Sequence, residues 1–336
     1  MVTIIESSNV EKLMKVKANV IELHLTNLCN HACSWCVADE VRQNKWQFTL
    51  EGAKKLMREM AESGVEKVIF SGGGDPLLFK GIEEVLELSH SLGMSNLLIN
   101  NGFGLKEKNI PLLARTCEFI RISLDSGNRE THTAIHRPKN EKVDNFDVIT
   151  NNISNLMKEI KENNLSTRVV LTFVVVDESI GSIPDFIRLA NRLGVDEIEF
   201  KTNHFWSADR KLEVYEKIQK FTKELPNQQV KISLEYPKSR AGEKSETEWN
   251  AFLLTAVIEA NGAIYPCCHK SLQPNWYLGN AVESSFQEAW ISADRRKVLE
   301  RIIKEKEVCT TCTDGNYNKL VNRFVSKHGW NTLLKD

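Results

Sequence analysis

Three cysteines near the start of the chain, Cys29, Cys33 and Cys36, have the chemistry and spacing to bind a metal cluster. A [4Fe–4S] cluster is held by thiolates and has four irons, so three protein ligands would leave one iron open to bind another molecule. A structural zinc site is the alternative, but zinc prefers four ligands in two close pairs. His31 lies between the first two cysteines, too close for easy tetrahedral closure. The spacing therefore favours an iron–sulfur cluster over a zinc site or three unrelated core thiols.

The cysteines follow a β-branched, apolar run at 20–25 that predicts a strand. From there to about residue 202, short runs of this kind alternate with longer segments of helical periodicity. The predicted strands are 20–25, 67–71, 96–100, 119–124, 168–176 and 197–201, and the predicted helices are 50–63, 82–92, 106–114, 148–162 and 183–193. Such alternation implies right-handed βαβ units and a parallel sheet. Six units form an α/β fold of the partial (β/α)6 TIM-like barrel type, whose chemistry lies at the C-terminal ends of the strands.

Polar motifs occur where the next three predicted strands end. The glycine run 72–74 and Asp75 follow the second strand, where glycine lets the backbone approach a ligand and a carboxylate can pair with an amino group. The third strand ends at Asn100, and the fourth runs into Ser123 and Asp125. Each motif alone is also an ordinary turn sequence. Their shared position at one edge of the barrel predicts a single site.

The order of these motifs, with the aromatic Trp35 just before the third cysteine, resembles the radical S-adenosylmethionine (SAM) enzymes. The resemblance covers the N-terminal two-thirds of the chain. It implies that the three cysteines hold a [4Fe–4S] cluster that binds SAM, and that a 5′-deoxyadenosyl radical abstracts hydrogen from a substrate. The implied SAM contacts are Gly73, Gly74 and Asp75 at the methionyl amine, Asn100 facing the site, Ser123 and Asp125 near the ribose or carboxylate, and Trp35 near the adenine or shielding the cluster. Asp75 departs from the family pattern, which usually has Glu there.

A second group of cysteines lies near the C-terminus, with Cys267, Cys268 and His269 followed by Cys309 and Cys312. This segment resembles the SPASM or shorter twitch domain of radical SAM enzymes, although the cysteine usual upstream of the hairpin is missing. The resemblance implies one auxiliary [4Fe–4S] cluster on Cys267, Cys309 and Cys312. Its fourth ligand is open between Cys268, His269, a residue elsewhere and no protein group, and Cys268 is alternatively a hydrogen-atom donor. A zinc site is the competing interpretation.

The composition limits the classes of protein that fit. Lys and Arg total 44 against 45 for Asp and Glu, and this balance argues against dedicated nucleic-acid or membrane-surface binding. Neither a signal peptide nor an apolar run of membrane-spanning length is evident, so we expect a soluble, cytoplasmic protein. The cytosol keeps thiols reduced, so the eight cysteines are better interpreted as metal ligands than as disulfides.

Three parts are predicted along the chain: an N-terminal extension at 1–18, the barrel at 19–237, and a small α+β auxiliary-cluster domain at 238–336. Later predicted elements are a helix at 209–224, a strand at 230–235, a polar linker at 238–248, a hairpin at 255–264 with its turn at Asn261 and Gly262, and helices at 284–304 and 316–328. Cys117 is expected to be a core residue. His132 and His136, four residues apart on a helical turn, could bind a metal, but a substrate-contacting or plain surface loop is favoured. Lys201 and His204 are expected either at a substrate phosphate or carboxylate or at a solvated edge.

These patterns predict a radical SAM enzyme of oxidoreductase or lyase type. About twenty residues precede the first strand, too few for an independent peptide-recognition domain, which favours a small polar substrate such as a sugar, aminocyclitol or nucleotide. Dehydrogenation, epimerisation or elimination would each fit. A peptide-modifying maturase is one alternative, and a non-catalytic iron–sulfur or zinc protein is another. The expected electron donor is flavodoxin or ferredoxin, and no nucleic-acid or membrane partner is expected.

Overall fold

A computed structural model describes residues 10–140, 142–225, 229–234 and 251–305. Within these residues one sheet contains ten strands: β1 Val20–His24, β2 Lys67–Ser71, β3 Ser95–Asn100, β4 Cys117–Ser123, β5 Arg168–Val175, β6 Glu197–Thr202, β7 Lys231–Leu234, β8 Thr255–Ile258, β9 Ala263–Tyr265 and β10 Gly279–Asn280. The strand order is β10-β9-β8-β1-β2-β3-β4-β5-β6-β7. Strands β1 to β7 pair with their sequence neighbours, all in parallel. This confirms the predicted parallel α/β barrel.

The helices of the described residues are α1 Val10–Met14, α2 Asp39–Arg42, α3 Leu50–Glu62, α4 Ile82–Ser91, α5 Ile110–Thr116, α6 Arg129–His136, α7 Asn145–Glu162, α8 Ile183–Leu193, α9 Ala208–Glu224, α10 Phe286–Trp290 and α11 Ala293–Glu305. The apolar face of α3, formed by Ala53, Leu56, Met57 and Met60, is buried, and Thr49 accepts a hydrogen bond from the backbone N–H of Gly52 to cap its start. Against the sheet, α8 places Phe186 on Phe173, with ring centroids 4.8 Å apart. No helix among the described residues is both long and apolar enough to cross a bilayer.

Three predictions of helices need correction. The segment at 284–304 is two helices, because the side chain of Ser292 accepts a hydrogen bond from the N–H of Arg295 and so starts α11 anew. The helix predicted at 106–114 begins only at Ile110, after a turn in which Asn109 accepts from the N–H of Lys106. Helices α1, α2 and α6 were not predicted. The predicted linker at 238–248 and helix at 316–328 lie outside the described residues.

The predicted C-terminal hairpin is confirmed, and it extends the barrel sheet. Strand β8 pairs in parallel with β1 from Val20↔Thr255 onward, and β9 returns antiparallel to β8. Its turn contains Gly262 at φ 85°, and a side chain there would meet Asn280 at 2.5 Å. The barrel and the C-terminal segment therefore share one sheet, while the predicted domain boundaries stay predictions.

A buried charge network joins these two parts beside the β1–β8 pairing. His24 on β1 lies 3.0 Å from Glu259 Oε2 through Nδ1 and 3.2 Å from Glu22 Oε1 through Nε2. Burial alone would lower the pKa of His24, but the two carboxylates outweigh it and raise that pKa to about 10. The imidazolium lowers the pKa of both Glu22 and Glu259 against the effect of burial. One cation therefore bridges two anions at the junction.

We expect His24→Gln to remove a pH dependence of stability. Folding binds a proton at His24 between its ordinary pKa of 6.5 and the folded value of about 10. Its contribution is complete below about pH 6.5 and is lost as pH rises. Between about pH 7 and pH 8.5 the free energy of unfolding should fall by up to about 2 kcal/mol in the unmodified protein, and this loss should vanish in His24→Gln. Urea unfolding measures this change, with His90→Gln at an exposed position of α4 as control. Equal pH dependence in all three proteins would contradict the bridge.

Candidate active site

A cavity of about 500 Å³ lies at the C-terminal ends of the parallel strands, where the barrel predicts it. Most predicted site residues line it, namely Cys29, Cys33, Trp35, Cys36, Gly74, Asp75, Asn100, Ser123, Asp125 and Cys268. Gly73 and Cys267 are absent from its lining. The predicted ligands Cys309 and Cys312 lie outside the described residues.

The C-terminal end of helix α6 holds the backbone of the cysteine loop. The N–H groups of Ala32 and Ser34 donate to the carbonyls of His136 (3.0 Å) and Ile135 (3.2 Å). The last carbonyls of a helix have no partner within it, so they are available to the loop. On the loop's other side, the guanidinium of Arg42 donates to the carbonyl of His31 at 3.0 Å.

The glycine-rich turn after β2 holds the segment just before Cys29. The N–H of Gly74 donates to the carbonyl of Thr26 at 3.1 Å, and the N–H of Asp75 donates to that of Leu28 at 2.8 Å. A Cβ at Gly74 would lie 2.1 Å from the Leu28 carbonyl oxygen, and one at Gly73 would lie 2.7 Å from the Asn27 side chain. The close approach that glycine permits here is to the cysteine loop itself.

Asp75 presents a buried carboxylate to the cavity. Its two oxygens accept hydrogen bonds from the N–H groups of Leu77 (2.9 Å) and Asn101 (2.8 Å). Burial raises the pKa of Asp75 to about 6, although both hydrogen bonds act in the opposite direction. Two oxygens offer about four acceptor positions, so an ammonium group can still bind. Such a cation would restore a low pKa.

Asn100 and Asp125 line the cavity from neighbouring strand ends. The Asn100 carboxamide accepts from the N–H of Gly102 at 2.8 Å. Asp125 has a positive φ of 53°, and one of its oxygens accepts from the N–H of Val174. The other oxygen has no hydrogen bond and lies 3.4 Å from His136 Nε2. Burial raises the pKa of Asp125 to about 7.

Beneath the cysteine loop, His31, His132 and His136 form a buried cluster that sequence reasoning missed. Their ring centroids lie 4.3 to 5.8 Å apart. Burial lowers the pKa of all three, to about 4 for His31 and His132, so the rings are neutral at pH 7. The expectation of a loop for His132 and His136 is wrong, because both lie in helix α6. Their four-residue spacing on one helix face was the available signal.

The three cysteines fit a cubane cluster better than a single metal ion. Among the described residues, one set of three potential ligand atoms within 4.8 Å of one another is found, from His31, Cys33 and His136. The thiols of Cys29, Cys33 and Cys36 do not form such a set. A tetrahedral zinc ion, with bonds of about 2.3 Å, needs its sulfurs about 4 Å apart. A wider spacing suits ligands that bind different irons of one cluster, and the cavity beside them leaves room for it.

Charged side chains also line the cavity. Arg121 on β4 and Lys201 on β6 lie 3.6 and 3.4 Å from the same carboxylate oxygen of Glu199. Lys211 of α9 donates to the carbonyl of His204 at 3.1 Å. Among these, sequence analysis singled out Lys201 and His204, and both line the cavity. Period-two alternation along β4 was the signal for Arg121.

The adjacent C-terminal cysteines lie in different surroundings. Cys267 is buried with an extended backbone, whereas Cys268 and His269 line the cavity. The ring of His269 stacks on that of His204 with centroids 5.0 Å apart. His204 follows β6 and His269 follows β9, on opposite sides of the sheet order, so the sheet curves far enough for its two sides to meet. The segment after β9 therefore closes one side of the cavity.

Two family models match the chain. The Radical SAM superfamily matches residues 23–190, and the SPASM iron-sulfur cluster-binding domain matches residues 252–313. An S-adenosylmethionine-dependent nucleotide dehydratase of Lacinutrix mariniflava is 30% identical over 35% of this chain and 25% of its own length. The sporulation killing factor maturation protein SkfB of Bacillus subtilis is 23% identical over 79% of this chain and 63% of its own length. The chain spans 25% to 43% of the length of the first three curated relatives that it matches.

Solved structures share the fold. Streptococcus suis SuiB bound to S-adenosylmethionine superposes with a TM-score of 0.65 and 14% identity, over 85% of this chain and 69% of that one. A further SuiB structure, bound to precursor peptide SuiA, has a TM-score of 0.66 and 14% identity, over 85% of this chain and 67% of that one. At this identity the likeness concerns the fold alone.

We expect Gly74→Ala to displace the cysteine loop. A methyl group 2.1 Å from a backbone oxygen forces the loop or the turn to shift, at a cost of about 2–4 kcal/mol. Iron and sulfide content after anaerobic reconstitution should fall by more than half, because the cysteines are no longer held together. Gly181→Ala is the matched control, since nothing lies within 4 Å of its added methyl group. Full cluster loading and unchanged stability of Gly74→Ala would show that the contact is unimportant.

Proposed function

Because the chain belongs to the radical SAM superfamily, we propose that it cleaves SAM reductively and abstracts hydrogen from a small polar substrate held in the cavity. The observation that carries the proposal is the convergence of Cys29, Cys33 and Cys36 with Asp75 on that cavity. The family and its SPASM domain imply a SAM-binding [4Fe–4S] cluster, SAM and an auxiliary cluster. When bound, the first cluster and SAM supply the 5′-deoxyadenosyl radical.

Each group around the cavity then has a defined task. Cys29, Cys33 and Cys36 hold the cluster, and burial, which raises the pKa of Cys29 and Cys33, makes thiolate formation depend on metal binding. Asp75 accepts the methionyl ammonium. Trp35, packed edge-on at 5.0 Å from the His136 ring, shields the cluster or the adenine from water.

Residues at the ends of two neighbouring strands are proposed to complete the SAM site. Ser123 and Asp125 at the end of β4 and Asn100 at the end of β3 line the cavity, and we assign Ser123 and Asp125 to the ribose or carboxylate of SAM. Asp125 has one buried oxygen without a hydrogen bond, which suits a ligand hydroxyl. A hydroxyl donor would satisfy this acceptor, which is costly to leave unpaired.

The charged wall favours a small polar substrate over an apolar one. Arg121, Lys201 and Lys211 offer donors, and Glu22 offers acceptors, within one cavity of about 500 Å³. A sugar, aminocyclitol or nucleotide presents complementary groups to such a wall, and dehydrogenation, epimerisation or elimination would each begin with hydrogen abstraction. The nucleotide dehydratases among the relatives agree with this class.

A peptide substrate is the second candidate. SkfB aligns with 79% of this chain and is named a maturation protein, and SuiB has been solved with a precursor peptide. The non-catalytic alternative fits less well, because an electron carrier needs no charged cavity beside its cluster. Reductive cleavage requires a low-potential electron donor, which we propose to be flavodoxin or ferredoxin.

We expect Cys33→Ala to abolish 5′-deoxyadenosine release and to lose about four irons. Asp75→Asn should keep the iron but weaken SAM binding about 10- to 100-fold, because it removes a charge-assisted hydrogen bond. SAM binding to the unmodified protein should also weaken below about pH 6, where Asp75 becomes protonated. Anaerobic assays with SAM and dithionite measure release, and Cys117→Ala in the core is the control. Zinc without sulfide in anaerobically purified protein, or release by Cys33→Ala, would refute the proposal.

Alanine substitutions of the two adjacent C-terminal cysteines should have different effects on the iron content of the protein. We propose Cys267, with Cys309 and Cys312, as auxiliary-cluster ligands, so Cys267→Ala should lose about four irons. Cys268→Ala should retain them if Cys268 is the hydrogen donor to a substrate radical. In that step its S–H bond breaks, the substrate C–H bond forms, and the sulfur radical regains an electron from the reductant and a proton from solvent. Iron analysis separates the roles, and loss of iron in Cys268→Ala would make it a ligand instead.

A further inference from the structure

A group of hydrogen-bond donors lies on the part of the cavity wall formed by the end of β6, the start of α9 and the segment after β9. Lys201 and Thr202 are the last two residues of β6, and His204 follows them in the loop. Lys211 lies on α9, and His269 comes from the C-terminal segment. All five line the same cavity as the three cysteines. We call this group the β6 wall.

Two cations beside this wall contact one carboxylate of the described residues, since Glu199 lies 3.4 Å from Lys201 and 3.6 Å from Arg121. Glu22 also lines the cavity, but its carboxylate already contacts the imidazolium of His24. No carboxylate of the described residues lies within 4.0 Å of Lys211, whose ammonium donates to the neutral carbonyl of His204 at 3.1 Å. An ammonium has three donors, so further acceptors can bind there.

The rings of His204 and His269 belong to the same wall. Their stacked rings lie 5.0 Å apart at an interplanar angle of 19°. The Nε2 atom of His269 is buried and has no hydrogen-bond partner. An imidazole N–H at this position, with no partner inside the protein, can donate a hydrogen bond to an anionic oxygen.

We propose that the β6 wall binds a phosphate or pyrophosphate group of the substrate, through Lys201 and Lys211 with His204, His269 and the Thr202 hydroxyl. This inference rests on the proposed function, because it assigns one end of the substrate in that cavity. Lysine ammonium groups are compact, strongly hydrated charges suited to phosphate oxygens. A phosphorylated substrate would then be held at this end, with its remainder directed towards the cysteine loop. A substrate carboxylate is the competing source of anionic oxygen.

Titration calorimetry tests the proposal. It measures the affinity of inorganic pyrophosphate for the anaerobically reconstituted holoenzyme in the presence of SAM. We expect saturable binding, weakened about tenfold or more in Lys201→Gln and Lys211→Gln. Lys220→Gln on the same helix is the matched control, because its side chain is 74% exposed and does not line the cavity. Lys211→Arg should bind nearly as well as the unmodified protein, since it keeps the charge. Iron content and circular dichroism establish that each variant is folded.

Three outcomes would overturn the proposal: no pyrophosphate binding, equal binding by all variants, or binding of malonate in preference to pyrophosphate. The last would replace phosphate by a carboxylate. Reductive cleavage of SAM by the same unmodified preparation is measured separately. If 5′-deoxyadenosine is released but pyrophosphate does not bind, the proposed function stands and the phosphate subsite is rejected.

Discussion

The backbone hydrogen bonds of the cysteine loop are the constraint on which the site depends. A loop of this kind carries N–H and C=O groups that must find partners when it is partly buried. Here the last carbonyls of α6 accept from the loop at Ala32 and Ser34, and the turn at Gly74 donates to the segment before Cys29. Two elements that are far apart in sequence thus fix the backbone of the loop from both sides.

The face of the loop that packs on α6 has uncharged neighbours. The imidazoles of His31, His132 and His136 fill the space between the loop and β4 without adding charge, because burial keeps them deprotonated at pH 7. Charge is concentrated instead on the open side of the cavity, at Arg121 and Lys201. A radical reaction needs this division, since a dry, rigid side excludes stray hydrogen donors and a polar side orients the substrate.

Much of this organisation could be predicted from sequence, because strand periodicity and motif order are local signals. The strand at Lys67–Ser71 and the helix at Ile183–Leu193 occur with the predicted bounds. Helix α6 was missed because its buried face consists partly of His132 and His136, which read as polar. The β6 wall was missed as a unit because His204 and His269 are far apart in the sequence. Only the curvature of the sheet brings them together.

The parallel pairing of β8 with β1 also constrains how the chain can be divided. Strand β1 is internal only because the C-terminal segment covers one of its sides. A shortened chain ending before Thr255 would leave β1 as an open edge, with unpaired backbone groups ready to pair with another molecule. It would also strip His24 of one of its two anionic partners. The C-terminal segment therefore covers the edge of the barrel sheet at β1. The barrel produced without this segment is expected to self-associate through that edge.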